Sequence, residues 1–319
     1  MQDEQDQMVF KGVDVAKDEL VIATEPVGAQ LKVRNQRAAI LKWLRTLAPG
    51  TFIAMESTGR YHRELALLAA QAGMKVYVLN ARDVYFYAKA LGRRGKTDAS
   101  DAQVIARYLA EHYKALHLWV PGTPAQQRLS ELLRRRAVIE RHLDAIDDSL
   151  QDVADLARQK TALARYADKL LATIDAKIQA LIADDPVMLE KQKRLQTITG
   201  VGPQISALLT ALLSRVAFAN VGALIAYSGL DPRPNDSGHK RGRRTLTKRG
   251  PAALRKMLWL GAFSACHSKA FKSLYRSIKS RGFSGTQALV ILARKLLRVA
   301  WAVWRTGQPF DSAKVQVAT

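Results

Sequence analysis

Apolar residues alternate or cluster in strand fashion over residues 8–23 and again over 31–33, which predicts three short strands before a helical stretch over 36–47. The pattern then changes. Residues 51–55 read as a buried strand, 61–72 as a helix, 75–79 as another strand and 83–91 as a helix, and a further helix begins near Thr97 and runs to about His112. Beyond Pro121 and Pro124 neither Gly nor Pro interrupts a helical pattern until Pro186. In it Leu129, Leu132, Ile139, Leu143, Ile146, Leu150 and Val153 fall at alternating spacings of three and four, with Arg136 at the one polar position, and Leu163, Leu170, Ile174, Ile178 and Leu181 continue after a bend near Lys160. That heptad seam predicts a coiled-coil dimer arm, with an internal helical hairpin as the alternative. From Lys191 the chain is helical again but broken by two loops, Thr199-Gly200-Val201-Gly202-Pro203 and residues 229–250, the second dense in Gly, Pro, Asp and Arg.

Three meandering strands followed by helix-crossover strands is the order of a ribonuclease H fold, an α/β layer architecture. The expected class is therefore α/β plus all-α: a catalytic domain over 1–118, a helical arm over 119–190 and a basic, mainly α-helical domain over 191–319.

With 319 residues, 48% of them hydrophobic, the chain can bury more than one core. No apolar run approaches the ~20 residues of a membrane span, and the acidic residues 1–7 lack the regions of a signal peptide, so a cytoplasmic protein is expected. The single cysteine, Cys266, reads as a buried small apolar residue. Charge narrows the picture further. The net charge is +22, and residues 191–319 hold 23 Lys and Arg against three acids, Asp231, Asp236 and Asp311. So concentrated an excess predicts a polyanionic partner, with nucleic acid first.

Against that charge, four carboxylates stand out. Asp14 follows the first strand in Gly12-Val13-Asp14-Val15-Ala16-Lys17, and Glu56 follows the fourth in Met55-Glu56-Ser57-Thr58-Gly59. Where strands one and four lie side by side, both acids emerge at neighbouring positions. Asp98 and Asp101, in Lys96-Thr97-Asp98-Ala99-Ser100-Asp101, open a helix and share one face of it. Singly, Asp98 reads as an N-cap, Asp101 as a favourable first-turn charge and Asp14 as a turn residue. Together they suit magnesium, whose hard oxygen ligands, in a pair of ions about 3.5–4 Å apart, can stabilise the attacking and leaving oxygens of a phosphodiester.

The second loop carries Asp236-Ser237-Gly238, followed by His239, Lys240, Arg241, Arg243, Arg244, Lys248 and Arg249. A hydroxyl among cations is a candidate nucleophile in a phosphate cradle, and equally a serine turn in a DNA-binding loop; the basic run could also clamp phosphate without catalysis. Gly200 and Gly202, ahead of an apolar helix, look like the hairpin of a helix-hairpin-helix, whose backbone N–H groups bind phosphate without reading sequence, and also fit a plain helical turn.

Taken in order, Gly12-Val13-Asp14-Val15-Ala16-Lys17, Glu56-Ser57-Thr58-Gly59, Lys96-Thr97-Asp98 with Asp101-Ala102, Gly200-Val201-Gly202-Pro203, and Asp236-Ser237-Gly238 with Arg241-Gly242-Arg243-Arg244 resemble the insertion-sequence transposases with an acidic-tetrad RuvC-like domain, relatives of the Piv-type DNA inversion enzymes. The resemblance covers almost the whole chain. It implies that Asp14, Glu56, Asp98 and Asp101 are the metal tetrad, holding two magnesium ions, and that Ser237 becomes covalently joined to DNA. It also implies a site composed from two protomers of a dimer or tetramer and, as in some members, a guide RNA. Val13-Asp14 stands where Ile-Asp is frequent, and Glu-Ser-Thr-Gly where Glu-Ala-Thr-Gly is commoner; neither change touches a ligand. Two other functions compete: a junction endonuclease of the same fold that uses water, with Ser237 only positioning DNA, and a non-catalytic nucleic-acid-binding architectural protein. The complete tetrad argues against the latter.

Overall fold

A computed structural model describes residues 8–26, 28–57, 59–92, 98–233, 236–237, 240–242 and 244–315, with the backbone alone described for residues 98, 99, 236, 237, 240 and 241. The chain divides into two compact units, residues 1–121 and 122–319.

The first unit runs β1 (Phe10–Val15), β2 (Glu19–Glu25), β3 (Leu31–Arg34), α1 (Arg37–Leu44), β4 (Phe52–Glu56), α2 (His62–Gln71), β5 (Lys75–Leu79), α3 (Ala81–Ala90) and α4 (Asp98–His112). Its five strands form one mixed sheet in the order β3-β2-β1-β4-β5, antiparallel through the meander and parallel across β1-β4-β5. This is the order expected of a ribonuclease H-like domain. Strand side chains alternate between faces, so each face has its own core. Val13, Val15, Ile53 and Met55 pack with Ile40 and Trp43 of α1 and with Leu65 and Leu68 of α2. Phe10, Phe52, Ala54, Tyr77 and Leu79 pack with Val84 of α3 and with Val104, Ile105 and Leu109 of α4.

Two helix ends differ from the sequence pattern for local reasons. α1 stops at Leu44 rather than near 47, where the Thr46 hydroxyl donates to the Trp43 carbonyl at 2.7 Å and competes with the helical ladder. α3 begins at Ala81, two residues early, because the Asn80 side chain caps it by accepting from the Arg82 N–H at 3.0 Å.

The second unit contains α5 (Pro124–Ser149), α6 (Ala157–Ala183), α7 (Pro186–Gln196), α8 (Pro203–Arg215), α9 (Val221–Ser228), α10 (Ala252–Ala265), α11 (Lys272–Ser280) and α12 (Gly285–Thr306). The long helical stretch breaks over 150–156, earlier than Lys160. Asp144, Asp147 and Asp148 crowd the C-terminal end of α5, where the helix dipole disfavours negative charge. α6 folds back antiparallel on α5. Lys160 meets Asp147 near the turn at 2.8 Å, and Arg136 meets Asp175 farther along at 2.6 Å. Leu129, Leu132, Ile174, Ile178 and Ile182 then join Met188 of α7 with Ala207 and Ala211 of α8 in one apolar cluster. Within the chain, therefore, the seam is half of a helical hairpin. Its polar position is satisfied there. Burial opposes charge on Arg136, but hydrogen bonds to Asp175 and Glu140 outweigh it and hold the guanidinium pKa above its ordinary value.

The larger core of this unit is built by α7 to α12, and Cys266 lies in it, 3% exposed, its thiol pKa raised by burial. Among the described residues no helix is long and apolar enough to cross a membrane.

Candidate functional site

The carboxylates are placed by one close approach. A Cβ on Gly12 would lie 2.2 Å from the Ala106 nitrogen and 2.3 Å from the Ala102 carbonyl oxygen, so only a glycine lets α4 lie directly on β1. The helix runs opposite to the strand, since Phe10 packs on Tyr113 beyond the end of α4, with ring centroids 5.3 Å apart. Asp14 is two residues beyond Gly12 on the same face, about 6.6 Å along the strand. The first turn of α4, with Asp98 and Asp101, is three to six residues back from the Gly12 contact, about 5–9 Å along the helix. Asp14 and that turn therefore stand at the same end. Glu56 comes to this end through the parallel register Val13↔Met55, which makes it the neighbour of Asp14 across about 4.8 Å of sheet.

The fold thus brings Asp14, Glu56 and the first turn of α4, which carries Asp101, to the C-terminal edge of the parallel strands. Asp98 is the first residue of α4, and its side chain lies outside the described residues. Among the described side chains, no three acids, histidines or cysteines stand close enough together to hold a metal ion.

The serine segment is a β-hairpin rather than a plain loop. β6 (Pro232–Arg233) pairs with β9 (Thr245–Leu246), and farther out β7 (Asp236–Ser237) pairs with β8 (Lys240–Arg241) in the register Asp236↔Arg241, Ser237↔Lys240. Among the described residues, Ser237 is therefore the last paired one on its strand. The stems are tied at the base. The Thr247 N–H donates to the Asp231 carbonyl at 3.1 Å, the Lys248 N–H donates to the Gly229 carbonyl at 3.1 Å, and the Thr247 hydroxyl bonds the Asp231 carboxylate. A Cβ on Gly250 would lie 1.9 Å from the Tyr227 carbonyl oxygen, and Lys248 adopts the left-handed conformation, φ 52°, to make this turn.

Arg244, Lys248 and Arg249 are exposed on the returning stem. Of the other candidates, Ser237, Lys240 and Arg241 are described by backbone alone, and Gly238, His239 and Arg243 lie outside the described residues.

The two glycines before α8 do different things. Gly200, at φ 89°, lies against α10, where a Cβ would be 2.4 Å from the Gly261 carbonyl oxygen. Gly202 is the N-cap of α8, with nothing within 4 Å of its Cβ position.

Two positioning residues escape a linear reading. Gly12 was legible only as a motif letter, though the small residues Ala102 and Ala106, four apart on the facing helix, are the signal of its close contact. Arg255 on α10 leaves no signal, because its partners are backbone carbonyls. Its Nη1 donates to Ser228 O at 3.2 Å and Gly250 O at 2.5 Å, joining both stems of the hairpin, and burial lowers its pKa.

Two family models match the chain. The family model for DEDD-type transposases of the IS110 kind matches residues 11–159, and the one described as transposase IS116/IS110/IS902 family matches 192–276. A pilin gene-inverting protein of Moraxella bovis is 30% identical, the match covering 95% of this chain and 97% of the relative. That of Moraxella lacunata is 27% identical over the same shares. The transposase for insertion sequence element IS1328 of Yersinia enterocolitica is 26% identical, over 94% of this chain and 98% of its own length. On these matches the chain belongs to the IS116/IS110/IS902 family of transposases and is a DNA recombination enzyme.

Proposed function

We propose that the chain cuts and rejoins DNA for the movement of an insertion sequence, with Ser237 as nucleophile and Asp14, Glu56, Asp98 and Asp101 as ligands of two magnesium ions in a RuvC-like domain. The observation that carries this reading is the contact of Gly12 with α4, which brings two strand-end acids and the acid-bearing first turn of a helix to one edge. That donor set is all hard oxygen and fits magnesium. Bound there, magnesium would polarise a phosphodiester and offset its negative charge.

The remaining steps belong to the chain's own residues. Lys240, Arg241, Arg243, Arg244, Lys248 and Arg249, with the N–H groups near Gly200 and Gly202, bind phosphate oxygens of the DNA. The Ser237 oxygen attacks phosphorus, a serine–phosphate bond forms as one strand bond breaks, and the serine proton is matched by one taken up by the departing oxygen. Because a phosphodiester is conserved, attack by a strand hydroxyl reverses the step and reseals DNA without an external energy source.

A dimer or tetramer built through the α5–α6 hairpin completes the reading. Supporting it, the distal part of the hairpin leaves Leu163 41%, Leu170 49% and Tyr166 74% exposed, apolar surface that a second copy would cover. A structured guide RNA that selects the DNA, and a cytoplasmic location, follow from the family resemblance and the charge.

With labelled substrate and magnesium, denaturing gels should show a protein–DNA adduct that is lost in Ser237→Ala and in each of Asp14→Ala, Glu56→Ala, Asp98→Ala and Asp101→Ala. Mixing the Ser237→Ala and Asp14→Ala chains should restore part of it if copies share a site. Free cutting by Ser237→Ala would instead establish a water-using junction endonuclease, and near-normal cutting by two of the acid variants would remove the tetrad.

A further inference from the structure

α3 carries two stripes with the same spacing and opposite fates. Val84, Tyr87, Ala88 and Leu91 turn inward to the core shared with α4. Arg82, Tyr85, Phe86 and Lys89, at the same i, i+3, i+4, i+7 spacing, are all exposed. Tyr85 is 53% and Phe86 47% exposed, and their rings meet edge to face with centroids 5.5 Å apart. Each ring lies beneath a cation: the Arg82 guanidinium carbon is 5.5 Å from the Phe86 centroid and the Lys89 ammonium 4.8 Å from that of Tyr85. Two adjacent uncovered aromatics on a helix are an apolar patch of the sort that marks a binding surface.

The stripe also begins at the carboxylate edge. Glu56 pairs in register with Leu79, and the Ser57 N–H donates to the Leu79 carbonyl at 2.9 Å. Asn80 then caps α3, so Arg82 is three residues past the register partner of Glu56.

From this placement we infer that the outward face of α3 is a stacking platform for two or three unpaired nucleotides of a strand leading to the carboxylate edge. Arg82 to Lys89 spans about 10 Å of helix, the length of roughly three bases at 3.4 Å each. Rings offer sequence-independent stacking and the cations meet the phosphates, the combination that binds single strands. Charge selects this occupant. None of the four positions carries a carboxylate, and covering Arg82 and Lys89 with an apolar protein face would desolvate both cations, whereas a strand offers both of them phosphate oxygens. The inference rests on the proposed reading that this edge acts on nucleic acid, but not on the serine chemistry.

The test uses the full-length chain with Ser237→Ala in chelator, so that only binding is read. Dye-labelled single-stranded DNA, single-stranded RNA and duplex DNA of one sequence are compared by anisotropy. The double substitution Tyr85→Ala and Phe86→Ala should weaken binding of at least one single strand by about 10-fold or more, while duplex binding stays within about 2-fold. Tyr85→Phe with Phe86→Tyr should keep wild-type affinity. The arm that weakens, DNA or RNA, identifies the strand, and photocrosslinking from 5-iodouracil in that strand should map to Tyr85 or Phe86. Unchanged affinity for both single strands, or equal loss on duplex, overturns the platform. So does a smaller sedimentation mass of the alanine variant with binding intact, which would show that a second copy covers the patch. A wild-type chain that binds strands through Tyr85 and Phe86 yet never forms an adduct would sink the serine reading alone.

Discussion

A single absent methyl group holds the two acid-bearing elements together. Gly12→Ala would put its Cβ 2.2 Å from a backbone nitrogen and 2.3 Å from a backbone oxygen of α4, atoms that cannot rotate away as a side-chain end could. The helix would have to lift off β1. The expected cost is at the upper end of the about 1–3 kcal/mol typical of overpacking, with lower cooperative melting and loss of adduct although all four acids remain. Gly202→Ala is the control, since its Cβ position is open and its φ of −77° is ordinary. Thermal unfolding of both variants decides it: equal melting temperatures would mean that α4 does not approach Gly12 as described. The motif letters around Asp14 were legible in the sequence, but the reason for the glycine was not, because its partners are 90 and 94 residues away in Ala102 and Ala106.

For whole elements, the hairpin of residues 229–250 depends on a clamp outside itself. Among its described residues the four strands are two residues each, too short to be stable alone, and two of the clamping bonds come from Arg255 of α10. Arg255→Met keeps most of the volume and removes both bonds, each worth about 1.5–3 kcal/mol as hydrogen bonds to a charged group. Trypsin should then cut faster among the basic residues of the hairpin, and adduct formation should fall at least about 10-fold while α10 and the rest of the core still melt cooperatively. Arg255→Lys should rescue part of the loss. Unchanged cleavage by trypsin would dismiss the clamp. The hairpin was unreadable as strands because Pro232, Pro234, Gly238 and Gly242 mask any period-two pattern. The α5–α6 stretch shows the converse. Its apolar period was plain, yet a period of three and four does not say whether the seam closes on the same chain or another.

Over the whole molecule, charge is the dominant asymmetry, with 23 of 50 basic residues but only three of 28 acids in residues 191–319. Binding of duplex DNA by the full chain in chelator should therefore weaken steeply with salt, because each neutralised phosphate releases a counterion. Arg243→Ala with Arg244→Ala should flatten the slope of log K against log salt by up to about 0.9 per lost phosphate contact. A shallow wild-type slope, or one unchanged by the pair, would remove these arginines from the interface.

By itself the sequence determined the element order of the first unit, the strand-end places of Asp14 and Glu56, the helix-opening place of Asp98 and Asp101, and the basic character of the last region. Each of these is written in local spacing, in the period of a strand or helix and in the counts of charged residues. Only the tertiary structure decided that α4 lies against Gly12 and so brings its first turn to the edge of Asp14 and Glu56, that Leu129 and Leu132 of the heptad seam pack with Ile174, Ile178 and Ile182 of α6, and that Ser237 ends a strand of a clamped hairpin. Those outcomes depend on contacts between residues distant in the chain, where the shape of one surface selects its partner, and no local pattern encodes that choice.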